Sequence, residues 1–255
     1  MFPLFWWGLN SVKPAHAIFE NFSVNWFDFT PTLDNYRVTL AGEGPSFFAS
    51  RQAIFDTLLV AAGATIATLL AALPAAFALS LIQFRRQRLV FLWVLFHRIL
   101  PPIAVLVPLV FIYWQIGLRD TRPGIILAHA AANLPFAVLL LKSFFDDVPR
   151  EVGEAAVIDG ATRFQSFLRI YAPLVKSGIA ATAVLCFIFS WTEFLMALFL
   201  TNTIRLLPVQ LSLVATQTWG FTSALSTASI LPGFIFILLV QRHLVRGLTM
   251  GLAKG

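Results

Sequence analysis

The chain has 255 residues, of which 58% are hydrophobic and 12% carry a charge, and its net charge is +6. A typical globular domain is about 45–50% apolar and about 25% charged, so this chain lacks the charge needed to cover a water-soluble surface. Together with a single cysteine, this excludes a soluble enzyme, a disordered chain and a disulfide scaffold. We predict an all-α polytopic membrane protein whose positive charge lies in loops at the membrane rather than on a nucleic-acid site.

The first nine residues are apolar and aromatic but too short to cross a membrane, and no basic segment precedes them as in a signal peptide. We expect residues 1–9 to be the end of a truncated first transmembrane helix. Residues 10–52 are then extracytoplasmic. This segment contains the aromatic residues Trp26, Phe27 and Phe29. They could stack on a sugar or pack against a partner protein.

Five charge-poor stretches are long enough to cross about 30 Å of hydrocarbon as helices. They predict five complete spans within a transmembrane domain at 53–242, followed by a tail at 243–255. The stretches cover residues 57–84, 99–118, 123–141, 177–199 and 224–241.

The basic residues between these stretches predict the orientation. Eleven Lys and Arg lie in the connections at 85–88 and 142–176 and in the C-terminal segment, against six in the alternate connections. Cytoplasmic loops are enriched in Lys and Arg. The loop at 144–177 and the C-terminus are therefore predicted to be cytoplasmic, in a protein of the inner membrane.

The loop at 144–177 has the pattern of a helix, a turn and a second helix. Gly160 supplies the turn after the first helix. Thr162 and Gln165 match a capping box for the second helix, although Asp159 is an alternative cap.

The second helix of this loop is predicted to be amphipathic, to end at Pro173 and to point Ser166 away from its apolar face. An amphipathic helix can lie on lipid headgroups or dock in the groove of a soluble protein. The carboxylate of Glu154 favours the protein partner, because a membrane surface is usually anionic. The apolar face consists of residues at i, i+3, i+4 and i+7, namely Phe164, Phe167, Leu168 and Tyr171.

This loop resembles the EAA motif of permease subunits from binding-protein-dependent ABC importers. The family pattern is Glu-Ala-Ala, two residues, Asp-Gly-Ala, a spacer and Ile-x-Leu-Pro, and this chain departs from it at Ala172, where leucine is usual. The segment SWTEFL and the C-terminal QRHLVRGLTMGLAKG resemble the carbohydrate branch, the group related to the second membrane subunit of the maltose importer. The matching motif residues are Glu154, Ala155, Ala156, Asp159, Gly160, Ala161, Ile170 and Pro173.

The resemblance implies a MetI-like type-1 transmembrane domain, with six helices in the family and a cytoplasmic coupling helix. It implies a heterodimer with a second permease, two ATPase subunits, an extracytoplasmic solute-binding protein and membrane lipid as partners. ATP–Mg is used by the ATPase, and this chain binds no cofactor. The implied ATPase-coupling residues are Phe164 and the eight motif residues above, with rigid packing expected around Ala155, Ala156 and Gly160.

The chain shows no phosphate-binding glycine loop and no spacing of His and Cys typical of a metal site. We therefore predict no catalytic or metal residue, and we interpret the four histidines as structural. Ionisable residues within spans usually face the bundle interior or a water-filled path. Glu193 and Arg98, with Trp191, are therefore candidates for the substrate path, while a structural ion pair or interface contact is the alternative for Glu193.

Other functions stay open at this point. An ion-coupled secondary transporter usually shows internal repeats, which we do not see. An intramembrane enzyme needs a nucleophile and a base, or metal ligands, inside the spans. Within the resembled family, the cargo alternatives to a sugar are a polyol, a glycerol phosphate or a polyamine.

Overall fold

In the computed structural model, the described residues form helices and connecting loops, which confirms the all-α prediction. They are residues 2–14, 17–18, 26–42, 50–99, 101–216 and 218–252, apart from the side chains of 98, 99, 102, 150, 157, 237 and 239–252. Two π-helical turns, Arg37–Ala41 and Phe167–Tyr171, continue α2 and α8. The helices are α1 (Phe2–Ser11), α2 (Asp34–Tyr36), α3 (Arg51–Leu81), α4 (Gln87–Ile99), α5 (Pro102–Gln115), α6 (Arg122–Asp146), α7 (Arg150–Ile158), α8 (Arg163–Ser166), α9 (Ala172–Leu174), α10 (Lys176–Thr192), α11 (Leu195–Leu200), α12 (Leu207–Ala215) and α13 (Trp219–Leu252).

The parallel helices α3 and α6 form the centre of the bundle. The hydroxyl of Thr68 on α3 donates to the carbonyl of Ala130 on α6 at 3.3 Å. A Cβ on Gly63 would come within 2.9 Å of the Ile126 side chain. Small residues allow such close approach, which is how helices pack when lipid is as apolar as their side chains. Helix α3 also buries four alanines completely: Ala61, Ala64, Ala72 and Ala76.

Polar contacts join α3 and α6 at both ends. At one end, Arg122 Nε lies 2.8 Å from the buried carboxylate of Asp56. At the other, the Ser80 hydroxyl donates to the carboxylate of Asp146, which also pairs with Lys142 Nζ at 2.6 Å. We term the end with Asp146 the loop end and the end with Asp56 the far end. Because both ends are fixed, the two helices behave as one unit.

By length and composition, α3 and α6 are each able to cross a membrane. The helices Arg163–Leu174 and Lys176–Thr192 reach the required length and hydropathy only when they are taken together, and they are bent by 78° relative to each other. Helix α13 overlaps the stretch predicted at 224–241 and continues to Leu252, into the predicted tail. These helices fit the predicted positions, and the number of five complete spans stays a prediction.

Two stretches predicted as continuous helices are interrupted. Residues 99–118 do not form one helix, because α4 and α5 are separated at Pro101, whose backbone is extended (φ −60°, ψ 127°). Residues 177–199 are likewise divided, because α10 ends at Thr192 and the backbone of Glu193 is extended (φ −70°, ψ 123°). Within lipid, such breaks require other partners for the freed backbone groups.

Among the described residues of the segment at 10–52, Trp26 and Phe29 contact other residues of this chain. The Trp26 ring lies edge-on to Trp6 at 5.4 Å. The ammonium of Lys13 lies 5.0 Å from the centre of the Trp6 ring and 5.3 Å from that of Phe29. Phe27 is 75% exposed and Trp26 is 42% exposed, so both rings retain surface that is available to a partner.

Asp120 ties the loop between α5 and α6 to the loop between α11 and α12. Its φ is +57°, and its amide donates to the carbonyl of Leu200 at 2.8 Å. Its carboxylate accepts hydrogen bonds from the Thr203 hydroxyl and from the amides of Asn202, Thr203 and Ile204 at 2.6–3.1 Å. Burial alone would raise the pKa of Asp120, but these hydrogen bonds lower the pKa to about 2.

We predict that Asp120→Asn lowers the free energy of unfolding by about 1–2 kcal/mol at neutral pH, since charge-assisted hydrogen bonds are lost. Because the folded-state pKa lies below the ordinary value of 3.8, the stabilisation is complete above that pH and disappears as the pH falls to about 2. Thermal unfolding in detergent, measured across this pH range, gives the difference from the wild type.

The matched control is Asp34→Asn. The Asp34 carboxylate is exposed and lies 3.4 Å from Arg37 in an i,i+3 pair. Exposed pairs of this kind contribute less than about 0.5 kcal/mol. Equal effects of the two substitutions at neutral pH would contradict the assigned role of Asp120.

Candidate functional site

The loop at 144–177 contains the helix and turn that the sequence predicts. Helix α7 ends in a Schellman motif, in which the amide of Ala161 donates to the carbonyl of Ala156 at 2.9 Å. Gly160 has a φ of +80° at this turn, a conformation that side chains disfavour. A Cβ at Gly160 would have no neighbouring atom within 4 Å. Within the described part of this chain, the backbone turn therefore accounts for Gly160. The packing expected around Ala155, Ala156 and Gly160 at the contact with an ATPase stays a prediction.

The capping box of the second helix is confirmed. Thr162 Oγ1 accepts a hydrogen bond from the amide of Gln165 at 3.2 Å, and the Gln165 side chain accepts one from the amide of Thr162 at 2.9 Å. Thr162, and not Asp159, is therefore the cap. The helical run that begins at Arg163 ends at Leu174, one residue after Pro173, and the chain bends by 78° before Lys176. This agrees with the prediction that Pro173 ends the helix, because helix ends are defined only to within one or two residues.

The predicted apolar face of the second helix is divided in two. Phe167 and Tyr171 are buried, and their rings lie 5.1 Å and 5.4 Å from the Phe77 ring of α3. Phe164 and Leu168 are 69% and 50% exposed. The π-helical turn is wider than an α-helical turn. Residues three and four positions apart therefore do not continue on one line.

Gly153, which sequence analysis missed, is the contact that attaches α7 to the bundle. The Tyr171 hydroxyl lies so close to Gly153 that a Cβ there would overlap it. Phe145, fully buried at the end of α6, lies edge-on to Phe77 at 5.8 Å. A glycine inside a helix lowers helix stability by about 1 kcal/mol relative to alanine. The presence of glycine at position 153 was therefore the sequence signal that could have revealed this contact. We term Gly153, Tyr171, Phe77 and Phe145 the tyrosine joint.

Next to the tyrosine joint, α7 and α8 present an exposed surface. Glu154 is exposed and has no hydrogen bond or ion pair within the described part of the chain. Burial raises the pKa of Tyr171, and the nearby Glu154 carboxylate raises it further, so the tyrosine hydroxyl stays protonated at neutral pH. We term this surface the loop face; it consists of Glu154, Ile158 (85% exposed), Phe164 and Leu168.

A cleft of about 610 Å³ separates α7 and α8 from the loop end of α3. Arg163 and Gln83 line it together with residues of the tyrosine joint and with Glu154 and Ile158, so the loop face borders this cleft. Ser166, predicted to point away from the apolar side, is buried at this cleft. Of the remaining motif residues, Ala156 is buried, Ala161 and Ile170 are half-buried, and Ala155, Asp159 and Pro173 are exposed.

Glu193 lies at the break between α10 and α11. Its carboxylate accepts hydrogen bonds from the amides of Met196 at 2.9 Å and Ala197 at 3.2 Å. It also lies 3.4 Å from Nε2 of His129, which is buried on α6. These contacts replace hydrogen bonds that the interrupted helix cannot make. They fit the alternative considered for Glu193, in which the residue makes a structural ion pair.

Trp191, which was also proposed for the substrate path, does not join Glu193 at an open surface of this chain. Trp191 is 8% exposed and stacks on Phe187 at 5.8 Å, so its ring lies in the core. The side chain of Arg98 lies outside the described residues. Among the described residues, no group of three or more His, Cys, Asp and Glu is placed to hold a metal ion.

Residues 63–250 match the family of binding-protein-dependent transport system inner membrane components. The match covers more than half of the chain and includes the whole of the loop at 144–177. The chain belongs to this family. Membership argues against the ion-coupled transporter and the intramembrane enzyme, and it agrees with an inner-membrane location.

Relatives in this permease family confirm the resemblance to its carbohydrate branch. A sulfoquinovosyl glycerol transport system permease from Agrobacterium fabrum is 31% identical over all of this chain and 89% of its own length. A trehalose transport system permease from Mycobacterium tuberculosis is 31% identical over all of this chain and 93% of its own length. The fold resembles that of a bacterial ABC transporter that imports alginate, with a TM-score of 0.77 over 94% of this chain and 89% of that one, at 22% identity.

We predict that Gly153→Ala destabilises the permease by about 1–3 kcal/mol, because the new methyl group overpacks the tyrosine joint. Tyr171→Phe removes the oxygen that this methyl meets first. The double variant should recover part of the loss, although the ring carbon Cζ would still lie 3.2 Å away. Thermal unfolding of both single variants and the double variant gives the coupling energy.

Gly233→Ala on α13 is the control, since a Cβ there meets no atom within 4 Å. It should leave the unfolding temperature unchanged or raise it through helix propensity. Additive effects of Gly153→Ala and Tyr171→Phe would show that the two residues do not interact.

Proposed function

We propose that this chain is the membrane permease subunit of an ATP-driven importer of a sugar or sugar-like solute. It forms the translocation path with a second permease, as a heterodimer, and receives solute from an extracytoplasmic binding protein. Two separate ATPase subunits use ATP–Mg and couple to this chain at its cytoplasmic loop. The observation that carries the proposal is an exposed loop face mounted on a buried joint, in a chain of this permease family.

The loop face has the chemistry of a docking surface for a soluble protein. An exposed aromatic side chain such as Phe164 fits the anchor residues that dominate binding energy in protein interfaces. The Glu154 carboxylate has no partner within the described chain and is available to a cation on the ATPase. A lipid surface is a poor alternative for this face, because its anionic headgroups repel the carboxylate.

The tyrosine joint is suited to transmit the motion of the ATPase. Concentrating a solute 10⁴-fold requires roughly 5.5 kcal/mol, which the coupling contact has to carry without slipping. Packed interiors have low compressibility. A pull on α7 is therefore passed through Gly153 and Tyr171 to Phe77 on α3, and through Phe145 to α6.

Helix α5 is the surface that we assign to the second permease. Its 14 residues include no charged side chain, and large apolar residues along it are exposed. A continuous exposed apolar surface of this kind marks a contact with another membrane protein or with lipid. The exposed residues include Val107 (68%), Phe111 (62%) and Trp114 (66%).

The names of the relatives favour a carbohydrate cargo, and a polyol, a glycerol phosphate or a polyamine is the alternative within the family. Glu193 is the residue that we assign to the substrate path, since 23% of its side chain is exposed at the break between α10 and α11. Its fixed carboxylate can accept hydrogen bonds from solute hydroxyl groups.

We predict that Glu154→Lys and Phe164→Ala each reduce ATP-driven uptake about tenfold or more in proteoliposomes containing the assembled transporter. Both side chains are exposed, so the unfolding temperature of the permease should not change. ATPase binding to the purified permease measures the docking step directly.

Glu151→Lys, a charge reversal on the same helix, and Phe55→Ala, with a ring 56% exposed at the far end, are the matched controls. Both controls should retain binding and uptake. Normal uptake by Glu154→Lys and Phe164→Ala in a properly assembled complex would refute coupling through the loop face.

Glu193→Gln keeps an oxygen to accept from the Met196 amide but removes the charge. We predict that the KM for the solute rises several-fold, while ATPase activity of the assembled transporter is retained. Uptake kinetics measure this change, with Glu151→Gln as the control. Unchanged uptake and unchanged solute preference would remove Glu193 from the path and leave it the structural role of closing the helix break.

A further inference from the structure

Helix α4 carries apolar side chains on two opposite faces. Phe91 and Val94 pack on the buried cluster between α3 and α6. Lys142 Nζ on α6 lies 5.4 Å from the centre of the Phe91 ring. The other face is not covered by the described part of this chain. Its residues lie at i, i+3, i+4 and i+7 and are Leu89 (63% exposed), Leu92 (49%), Trp93 (65%) and Phe96 (60%).

Three exposed arginines precede or begin this helix: Arg85, Arg86 and Arg88. None of them has an acidic partner among the described residues. The turn that carries them is ordered, because the Gln87 side chain donates to the carbonyl of Leu79 at 2.6 Å. Three guanidinium groups are thus held at one end of an exposed apolar stripe. We term the arginines and the stripe together the α4 surface.

We infer that the α4 surface binds an anionic phospholipid, of the phosphatidylglycerol or cardiolipin class. The planar guanidinium group matches the geometry of phosphate oxygens and binds them with two hydrogen bonds. The apolar stripe then lies along an acyl chain. Trp93 has an apolar ring with a polar N–H, the combination that favours the boundary between headgroups and hydrocarbon.

The length of α4 agrees with a position within one leaflet. Its 13 residues extend about 20 Å as a helix. One leaflet with its headgroups measures about 20–22 Å. With the arginines at the headgroups, the helix end at Ile99 therefore approaches the bilayer centre, and Phe96 lies within the hydrocarbon of the same leaflet. This placement rests on the proposed function, which puts the loop end at the cytoplasmic surface.

Charge distinguishes this surface from the one assigned to the second permease. Helix α5 exposes apolar residues without any cation, whereas the α4 surface ends in three arginines that have no acidic partner in the part of the chain that the structure describes. A second membrane protein covering the α4 surface would have to supply matching acidic groups at the membrane boundary. Anionic headgroups supply them throughout the leaflet, so lipid is the occupant that the charges favour.

Fluorescence quenching by brominated lipids tests the inference on the full chain in vesicles. The signal of Trp93 is the difference between the wild type and Trp93→Phe. We expect brominated phosphatidylglycerol to quench it more strongly than brominated phosphatidylcholine, with a relative affinity of at least about fivefold. The triple variant Arg85→Gln, Arg86→Gln, Arg88→Gln should lower this ratio to about one. Arg119→Gln, which removes an exposed arginine at the far end, should leave it unchanged.

Equal quenching by the two lipids in the wild type would overturn the inference, because the arginines would then select no headgroup. Quenching by neither lipid would also overturn it, since a protein would then cover the stripe. High salt provides a second measurement that needs no variant, because it should screen the wild-type preference. If the assembled wild-type transporter shows the lipid preference but no ATP-driven uptake, the result would count against the proposed function alone.

Discussion

The contact between the Tyr171 hydroxyl and the backbone of Gly153 is the constraint on which the loop end depends. Helix α7 has nine residues, and isolated helices shorter than about 12–15 residues are marginal in water. Ile158, the residue that α7 contributes to the apolar part of the loop face, is 85% exposed and adds little packing. The position of α7 therefore depends on the tyrosine joint, where the Tyr171 ring packs against Phe77 and Phe77 packs against Phe145. A side chain at position 153 would remove this close approach, which explains a glycine inside so short a helix.

The same need to satisfy every backbone group shapes the interior of the bundle. Lipid offers no hydrogen bonds, so an interrupted helix needs a local substitute. At the break after α10, the Glu193 carboxylate supplies acceptors for two amides and lies beside His129. One helical turn further along α6, the side-chain amide of Asn133 donates to the Ser190 hydroxyl at 3.0 Å. Buried polar residues of α6 thus hold the interrupted segment in place.

The two exposed surfaces at the loop end differ in chemistry but attach to the same pair of helices. The loop face reaches α3 and α6 through the tyrosine joint. Helix α4, which carries the α4 surface, contacts α6 through its opposite face, where Lys142 lies over the Phe91 ring and pairs with Asp146. In the proposed importer, a surface anchored in lipid and a surface moved by the ATPase therefore act on one rigid unit. Relative motion between them has to be absorbed by the cleft beside Ser166 or by movement of the unit in the membrane.

Composition and charge-free lengths were enough to establish a helical membrane protein, and the motif from Glu154 to Pro173 was enough to indicate its family. The capping box of Thr162 and the turn at Gly160 were also predictable, because their hydrogen bonds join residues within five positions of one another. The division of the apolar face, the break at Glu193 and the role of Gly153 were decided only by the tertiary structure. Each depends on a partner distant in sequence, such as Phe77 for Tyr171 or His129 for Glu193, and local periodicity carries no information about such partners.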